Sequence, residues 1–177
     1  DARLWAKGTN NLEAYIKFLQ GLRYYHQHAD REMYLVKAPK MLNEAIALDP
    51  QFSTPYILLA MIERWSVFYD PNVDVKKAIA RAMELAQKGM ELNASDALGY
   101  SALSLIYQAQ NKHQEAISEA EKAVSLEPNM ADAYWLLGVS LHYDGRYDEA
   151  ITEIKKAIRL NPIPPPYYYM FLGNAYQ

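Results

Sequence analysis

Cysteine is absent from the 177 residues, and the charges nearly balance. Without a thiol, the chain has no disulfide, no thiol nucleophile and no cysteine-ligated metal centre. A net charge of −3 with no basic block disfavours nucleic-acid binding, because that binding relies on cations that neutralise phosphates. No apolar run approaches the roughly 18 to 20 residues that a membrane helix needs, so we expect no membrane partner.

The sequence also lacks the short motifs of common enzyme sites, including H-E-x-x-H, G-x-S-x-G, G-x-G-x-x-G and the phosphate-binding G-x₄-G-K-[ST]. The four histidines are His26, His28, His113 and His142. On a helix the first two point about 200° apart, so they cannot share a metal. Glutamates recur at four-residue spacing, as at Glu115 and Glu119, but opposite the apolar stripe and close to lysine, which favours a solvated helix face. We therefore predict no catalysis, no metal and no cofactor.

What the sequence does contain is a repeat of 34 residues. Residues 97–130 align without a gap on residues 131–164, with eleven identities. In the second copy, helical spacing predicts helices over Ala131 to Tyr143 and Tyr147 to Leu160. Gly145 lies in the polar turn between them, where a glycine can take the left-handed conformation that ends a helix. Small residues such as Gly138 predict that the two helix backbones lie close together.

This spacing resembles the tetratricopeptide repeat. The motif positions in the second copy are Tyr134, Leu137, Gly138, Leu141, Ala150, Ile154, Ala157 and Pro162. The first copy has Tyr100, Leu103, Ser104, Tyr107, Ala116, Ala120, Ala123 and Pro128 at the same positions, with Ser104 in place of the usual glycine. The resemblance implies an all-α fold of stacked helical hairpins that forms a right-handed superhelix.

We predict one repeat array over residues 1–177. Its units span residues 11–50, 51–94, 97–130, 131–164 and a truncated 166–177. In the second unit, about ten extra residues predict a long first helix, Ser53 to Tyr69, and a second helix from about Asp74 to Leu92. In the first unit, Pro39 predicts a kink or a late helix start. In the last unit, Tyr169, Leu172, Gly173 and Tyr176 repeat the first-helix motif, and Pro166 is placed to start that helix.

The two ends of the chain suggest a longer protein. The N-terminus has no initiator methionine or signal peptide. Residues 3–4, 8–15 and 19–21 resemble the entry into repeat arrays of bacterial multidomain regulators, which carry a class III nucleotidyl cyclase or a winged-helix domain. The resemblance implies a regulatory array joined to an output domain. At Tyr176 the array stops without a polar cap, so we expect either more chain or a second copy, in a homo-oligomer, to cover its apolar end.

In tetratricopeptide arrays the first helices line a concave groove, so the resemblance implies a ligand-binding set. Its twelve members here are Ile57, Met61, Trp65, Leu98, Ser101, Leu105, Gln108, Trp135, Val139, His142, Tyr143 and Met170. The set lacks the Lys, Arg and Asn cluster with which some arrays bind acidic tails, so an apolar protein segment is the expected ligand. Trp135, Tyr143 and Trp65 would be the anchors. The alternative is that these rings pack against neighbouring parts of the same protein.

The sequence thus predicts a non-catalytic protein-interaction module that regulates an attached domain or recruits a partner. A structural module that self-associates is the alternative. We expect a cytoplasmic location, or an extracytoplasmic one if a membrane helix precedes the array.

Overall fold

The computed structural model describes residues 8–27 and 29–176. Within them it contains nine α-helices and no strand, which confirms the all-α prediction. The helices are α1 (Leu12–Tyr25), α2 (Ala38–Leu48), α3 (Ser53–Tyr69), α4 (Val75–Leu92), α5 (Ala97–Ala109), α6 (His113–Leu126), α7 (Ala131–Tyr143), α8 (Tyr147–Leu160) and α9 (Pro166–Ala175). No helix in the described part is long and apolar enough to cross a membrane.

The chain forms two compact units, Asp1–Ala94 (unit 1) and Ser95–Gln177 (unit 2). In unit 1, α1 packs on α2 and α3 packs on α4. In unit 2, α5 packs on α6, α7 packs on α8, and α9 lies against α8 and α7. These pairs follow the helical hairpins expected from the repeat. That the hairpins form one array over the whole chain stays a prediction.

A π-helical turn, Met33–Lys37, precedes α2 in unit 1. Pro39 has no amide hydrogen to donate to the carbonyl of Leu35, and its ring crowds that carbonyl. The backbone widens there, and the amide of Ala38 donates to the carbonyl of Met33, five residues back. Pro39 then occupies the first turn of α2, where a missing amide hydrogen costs nothing. The helical backbone runs from Arg31 through this turn directly into α2, so Pro39 does not delay the start of the helix and instead coincides with a distortion of it.

The long helix pair of unit 1 has the predicted bounds. The first helix, α3, spans Ser53–Tyr69 as expected from the ten extra residues. Asp70 ends it, and the side chain of Asp74 accepts a hydrogen bond from the amide of Lys77 at the start of α4. The two helices lie close, because a Cβ added at Gly89 would meet Cγ1 of Ile57 at 2.6 Å.

The turns of unit 2 repeat with the predicted period. Gly145 has a φ of +83°, in the left-handed region where glycine has no steric cost. Asn111, which lies 34 residues earlier, has a φ of 57°. Asparagine is among the few other residues that visit this region readily. The left-handed turn predicted at Gly145 is confirmed, and Asn111 is its counterpart in the preceding hairpin.

The hairpin α7–α8 is packed more closely at Gly138 than any added side chain would allow. A Cβ there would lie 2.5 Å from Cγ1 of Ile154 and 3.0 Å from the carbonyl oxygen of Ala150. The corresponding pair in α5–α6 is Ser104 and Ala120, both fully buried. A larger first-helix residue thus accompanies a smaller second-helix residue, so the two hairpins fill the same space in opposite ways.

The buried positions of α9 lie one residue earlier in the sequence than the motif predicted. Tyr168 and Ala175 are buried, whereas Tyr169 is 53 % exposed and Tyr176 is 61 % exposed. Tyr168 and Ala175 follow Tyr134 and Leu141 by 34 residues, so the repeat period continues into α9 without a gap. The motif match at Tyr169 is out of phase because packing against α7 and α8, not similarity to the motif, determines which tyrosine is buried.

Candidate protein-binding site

The twelve residues predicted to bind a ligand differ in their exposure. Six are buried: Ile57, Met61, Ser101, Leu105, Trp135 and Val139. Four are half-buried: Trp65, Leu98, Gln108 and His142. Two are exposed, Tyr143 and Met170. The buried six cannot contact a partner without rearrangement, so any ligand would meet mainly the other six.

The buried six are covered because each first helix also packs against its neighbours. Ile57 lies against Gly89 of α4, so it faces its own hairpin partner. Ser101 donates a hydrogen bond to the carbonyl of Ala97 at 3.0 Å and is fully buried. In unit 2, α7 lies between α5 and α9, which covers Val139 and Trp135. Helical periodicity identified the helix face, but not how far neighbouring helices cover it.

Trp135 belongs to an aromatic cluster that joins α7 to α9. We define this aromatic cluster as Trp135, His142, Tyr143, Tyr167, Tyr168 and Phe171. The Trp135 ring stacks on Tyr168 with the centroids 5.8 Å apart and the planes 6° from parallel. Tyr167 and Phe171 meet its edges at 4.8 Å and 5.7 Å. Of the two alternatives for Trp135, binding a partner or packing within the protein, this geometry favours packing.

Tyr143 is the exposed edge of the aromatic cluster, with 55 % of its surface accessible. Its ring centroid lies 6.4 Å from Phe171, 5.6 Å from His142 and 6.1 Å from His113, on which it stacks. On α9, Met170 lies one helical turn from Tyr167 and is also 55 % exposed. Phe171 thus connects Trp135, His142 and Tyr143, three of the predicted residues, into one surface.

Two buried polar atoms of the aromatic cluster have no hydrogen-bond partner among the described residues: Nε1 of Trp135 and Nδ1 of His142. Nδ1 of His113, whose ring stacks on Tyr143, is also buried and has no hydrogen-bond partner among these residues. A buried unpaired donor or acceptor costs about 1–3 kcal/mol and is uncommon in folded proteins. The cluster therefore retains hydrogen-bonding capacity that the described part of the chain does not use.

Two tyrosines of the aromatic cluster lie close to the carboxylate of Asp132. Tyr168 donates a hydrogen bond to Asp132, and burial together with that contact raises the pKa of Tyr168. Burial, with a smaller effect of the Asp132 charge, raises the pKa of Tyr167 to about 12. On α5, Gln108 donates to the hydroxyl of Ser140 on α7 at 2.7 Å. Both tyrosines keep their protons at neutral pH, so neither presents a phenolate.

Sequence reasoning missed Tyr167, Tyr168 and Phe171. The available signal was the run of three tyrosines after Pro166, of which only Tyr169 was assigned to the first-helix motif. Pro166 does begin α9, as predicted. However, three aromatic residues that follow Pro166 in the sequence, Tyr167, Tyr168 and Phe171, form half of the aromatic cluster. The register error at Tyr169 hid their role.

The predicted residues of unit 1 form a separate group on α3. Met61 accepts a hydrogen bond at its sulfur from the hydroxyl of Tyr25, at 3.7 Å. The guanidinium of Arg64 lies over the ring of Trp65 at 4.9 Å and over that of Phe68 at 5.1 Å. Trp65 is half-buried beneath this contact. In unit 1 a charged side chain therefore borders the predicted apolar residues.

Residues 101–163 match the sequence profile described as tetratricopeptide repeat. This segment belongs to the tetratricopeptide repeat family. It covers the two hairpins in which the repeat was found, apart from the first turn of α5. No curated protein matches the sequence significantly.

Solved tetratricopeptide repeat (TPR) structures resemble a larger part of the chain. A thermophilic TPR protein from Thermus thermophilus superposes with a TM-score of 0.75 at 15 % identity, over 94 % of this chain and 83 % of that one. Pseudomonas aeruginosa pilF gives a TM-score of 0.67 at 19 % identity, over 92 % and 67 % of the two chains. The second TPR domain of human RPAP3, solved in complex with the HSP70 peptide SGPTIEEVD, gives 0.55 at 17 % identity, over 71 % and 98 %. At these identities the likeness shows the fold alone.

Tetratricopeptide repeats generally mediate protein–protein interaction and are generally non-catalytic scaffolds. Across residues 8–27 and 29–176, no group of three or more His, Cys, Asp or Glu side chains is placed to hold a metal ion. His28 and residues 3–4 lie outside the described residues, so the structure does not bear on the interpretations that involve them.

Proposed function

We propose that the chain is a non-catalytic protein-interaction module whose unit 2 binds an apolar segment of a partner protein. The binding surface consists of Tyr143, His142, Phe171 and Met170. The observation that supports it most is the exposure of Tyr143, 55 %, at the edge of the aromatic cluster, together with the equal exposure of Met170 on α9. Trp135 contributes by holding Tyr168 and Phe171 in place, and not by direct contact.

An apolar partner side chain would gain from this surface in two ways. Burying an apolar side chain contributes about 1.5–3 kcal/mol to binding. The aromatic rings are already held by packing between α7 and α9, so they lose little conformational freedom when a partner binds. Tyr143 has the amphipathic character that is common at binding hot spots.

The charges on this surface argue against an acidic ligand. Five members of the predicted set are accessible in unit 2, and none of them is Lys or Arg. They are Leu98, Gln108, His142, Tyr143 and Met170. A carboxylate-rich tail needs such cations as hydrogen-bond donors. The HSP70 peptide SGPTIEEVD, bound by the human RPAP3 domain, is therefore a useful negative probe.

Selection from a library of random peptides on the immobilised chain tests this proposal. We expect apolar peptides to be enriched, and Tyr143→Glu to weaken their binding by about thirtyfold, the loss typical of a hot spot. Isothermal titration calorimetry with a selected peptide measures the loss. SGPTIEEVD should bind neither protein.

Tyr169→Glu is the matched control, because Tyr169 is equally exposed but lies on another face of α9. It should leave the affinity for the selected peptide unchanged. Enrichment of acidic peptides, or binding that does not respond to Tyr143→Glu, would contradict the proposal.

Self-association is the second candidate function, and the exposed face of α9 favours it. Tyr169 and Tyr176 are 53 % and 61 % exposed, and Gly173 between them has open space beside it. If this face pairs with a second copy, light scattering should give a dimer that Tyr169→Glu converts to a monomer while Tyr143→Glu does not. A monomer at all concentrations would exclude this candidate.

The wider context is also a proposal. The resemblance of the N-terminal stretch to repeat arrays of bacterial regulators favours a signalling protein in which this module controls an attached output domain. We place such a protein in the cytoplasm, or outside it if a membrane helix precedes the array.

A further inference from the structure

Unit 1 contains an open cleft of about 940 Å³ that the proposed function does not use. It lies among the π-helical turn, α2, α3 and α4, and the turn between α3 and α4 forms one wall. Its apolar lining includes Leu35, Val36, Pro39 and Ile62. Val36 is 61 % exposed, so the apolar lining is open to solvent. The cleft is distinct from the aromatic cluster, which belongs to unit 2.

Two departures from the regular repeat border this cleft. The π-helical turn before Pro39 places Leu35 and Val36 on one side. The lengthened hairpin places residues 70–74 on the other. The hairpins of unit 2 have neither feature, since α6 and α8 follow their turns directly as regular α-helices. The cleft is therefore specific to unit 1.

The charged residues around the cleft are paired, with one exception. Arg31 pairs with Asp70 at 2.9 Å, and Lys77 pairs with Asp74 at 3.5 Å. Glu32 pairs with Lys37 at 3.3 Å, and Arg81 pairs with Glu84 at 3.5 Å.

The exception is Glu63, a half-buried carboxylate in the cleft wall. Its side chain makes no hydrogen bond or ion pair with the described residues. Burial raises the pKa of Glu63, and the charge of Arg81 only partly opposes this effect. Arg81 lines the same cleft, but its guanidinium pairs with Glu84 and makes no ion pair with Glu63. A partly desolvated carboxylate with no cation in contact, beside an apolar surface, is complementary to a ligand that supplies both a cation and an apolar group.

We propose that this cleft binds a partner protein segment in which an aliphatic side chain lies next to a Lys or Arg. The aliphatic group packs on Val36, Pro39 and Ile62, and the cation pairs with Glu63. Charge complementarity identifies the occupant, because an acidic or neutral segment would leave Glu63 desolvated and unpaired. This second site is independent of the aromatic cluster, so either can fail without the other.

Two blocked dipeptides test the proposal on the full chain, acetyl-Leu-Arg-amide and its neutral counterpart acetyl-Leu-citrulline-amide. Both are titrated into ¹⁵N-labelled protein at neutral pH. We expect dissociation constants in the millimolar range, with chemical-shift changes at the amides of Leu35, Val36, Glu63 and Ser66. The Arg peptide should bind about fivefold more tightly, as expected for a half-exposed ion pair.

Glu63→Gln should abolish that fivefold preference and leave the citrulline peptide unaffected. Glu91→Gln is the matched control, because Glu91 is exposed on α4 and lies outside the cleft lining. It should preserve the preference. Equal affinities in the unmodified protein, or shifts confined to other residues, would overturn the proposal. Cleft amides that shift with protein concentration alone would also overturn it, since a second copy would then be the occupant.

A stability measurement provides an independent readout of the unpaired carboxylate. A carboxyl group whose pKa is higher in the folded than in the unfolded chain lowers stability above that pKa, and the penalty disappears as pH falls through it. At pH 7 Glu63→Gln should therefore raise the midpoint temperature of unfolding, by about 1–3 °C for a half-exposed group. Glu91→Gln should not. A lower midpoint for Glu63→Gln would mean that Glu63 has a stabilising partner, contrary to the proposal.

Discussion

Replacement of Tyr168 by alanine is expected to reduce the free energy of unfolding by about 3–5 kcal/mol, the range for truncation of a buried aromatic side chain. Tyr168 is fully buried, stacks on Trp135 and donates a hydrogen bond to Asp132. Truncation leaves a cavity between α7 and α9 and removes the partner of the Trp135 ring. Denaturant unfolding followed by circular dichroism measures the loss.

Tyr169→Ala is the matched control, because it removes the same ring from the next residue. Tyr169 is 53 % exposed, so its truncation should cost no more than about 0.5 kcal/mol. Tyr168→Phe should fall between the two, since it removes only the hydrogen bond to Asp132, a contribution of about 1.5–3 kcal/mol for a charged acceptor. Equal losses for Tyr168→Ala and Tyr169→Ala would contradict the register of α9 described above.

The second large effect is expected at Gly138, where the hairpin α7–α8 has no room for a side chain. Gly138→Ser should destabilise the chain by about 1–3 kcal/mol through overpacking. Ile154→Ala should cost about 2–5 kcal/mol through the cavity that it creates. The double variant reproduces the Ser104–Ala120 pair of the preceding hairpin, and the added hydroxymethyl group then fits the vacated space. We expect it to be about 1–2 kcal/mol more stable than the sum of the single losses predicts.

Gly173→Ser controls for the change of residue type, because it makes the same substitution inside a helix with nothing within 4 Å of the new Cβ. It should not lower the free energy of unfolding, and we expect a small increase because serine has a higher helix propensity than glycine. Thermal or urea unfolding of the four proteins of the cycle gives the coupling energy. Additivity within about 0.5 kcal/mol would show that Gly138 and Ile154 do not compete for the same space.

Much of the helical architecture could be predicted from the sequence, because its signals are local. Hydrophobic periodicity predicted α7 and α8 to the residue, and the ten extra residues of the second unit predicted the bounds of α3. Gly145 predicted a left-handed turn, and Pro39 indicated an irregular helix where the structure has a π-helical turn. These features follow from backbone chemistry within a few residues. They do not depend on which other helices lie nearby.

The candidate site could be predicted less well, because burial depends on neighbouring helices. Trp135 and Val139 lie on the predicted face of α7, but α9 and α5 cover that face. A one-residue shift in α9 was enough to hide the part that Tyr168 and Phe171 play. The cleft of unit 1 could not be foreseen from the motif at all, because its walls come from a π-helical turn and an insertion that depart from the repeat.

The most direct test of the proposed function is a chemical-shift map of a selected apolar peptide on the ¹⁵N-labelled full chain. We expect the largest shifts at His142, Tyr143, Met170 and Phe171. The Leu35 and Val36 amides of the unit 1 cleft should not move. Shifts confined to the Tyr169–Tyr176 face of α9 or to unit 1, with Tyr143 unaffected, would contradict binding at the aromatic cluster.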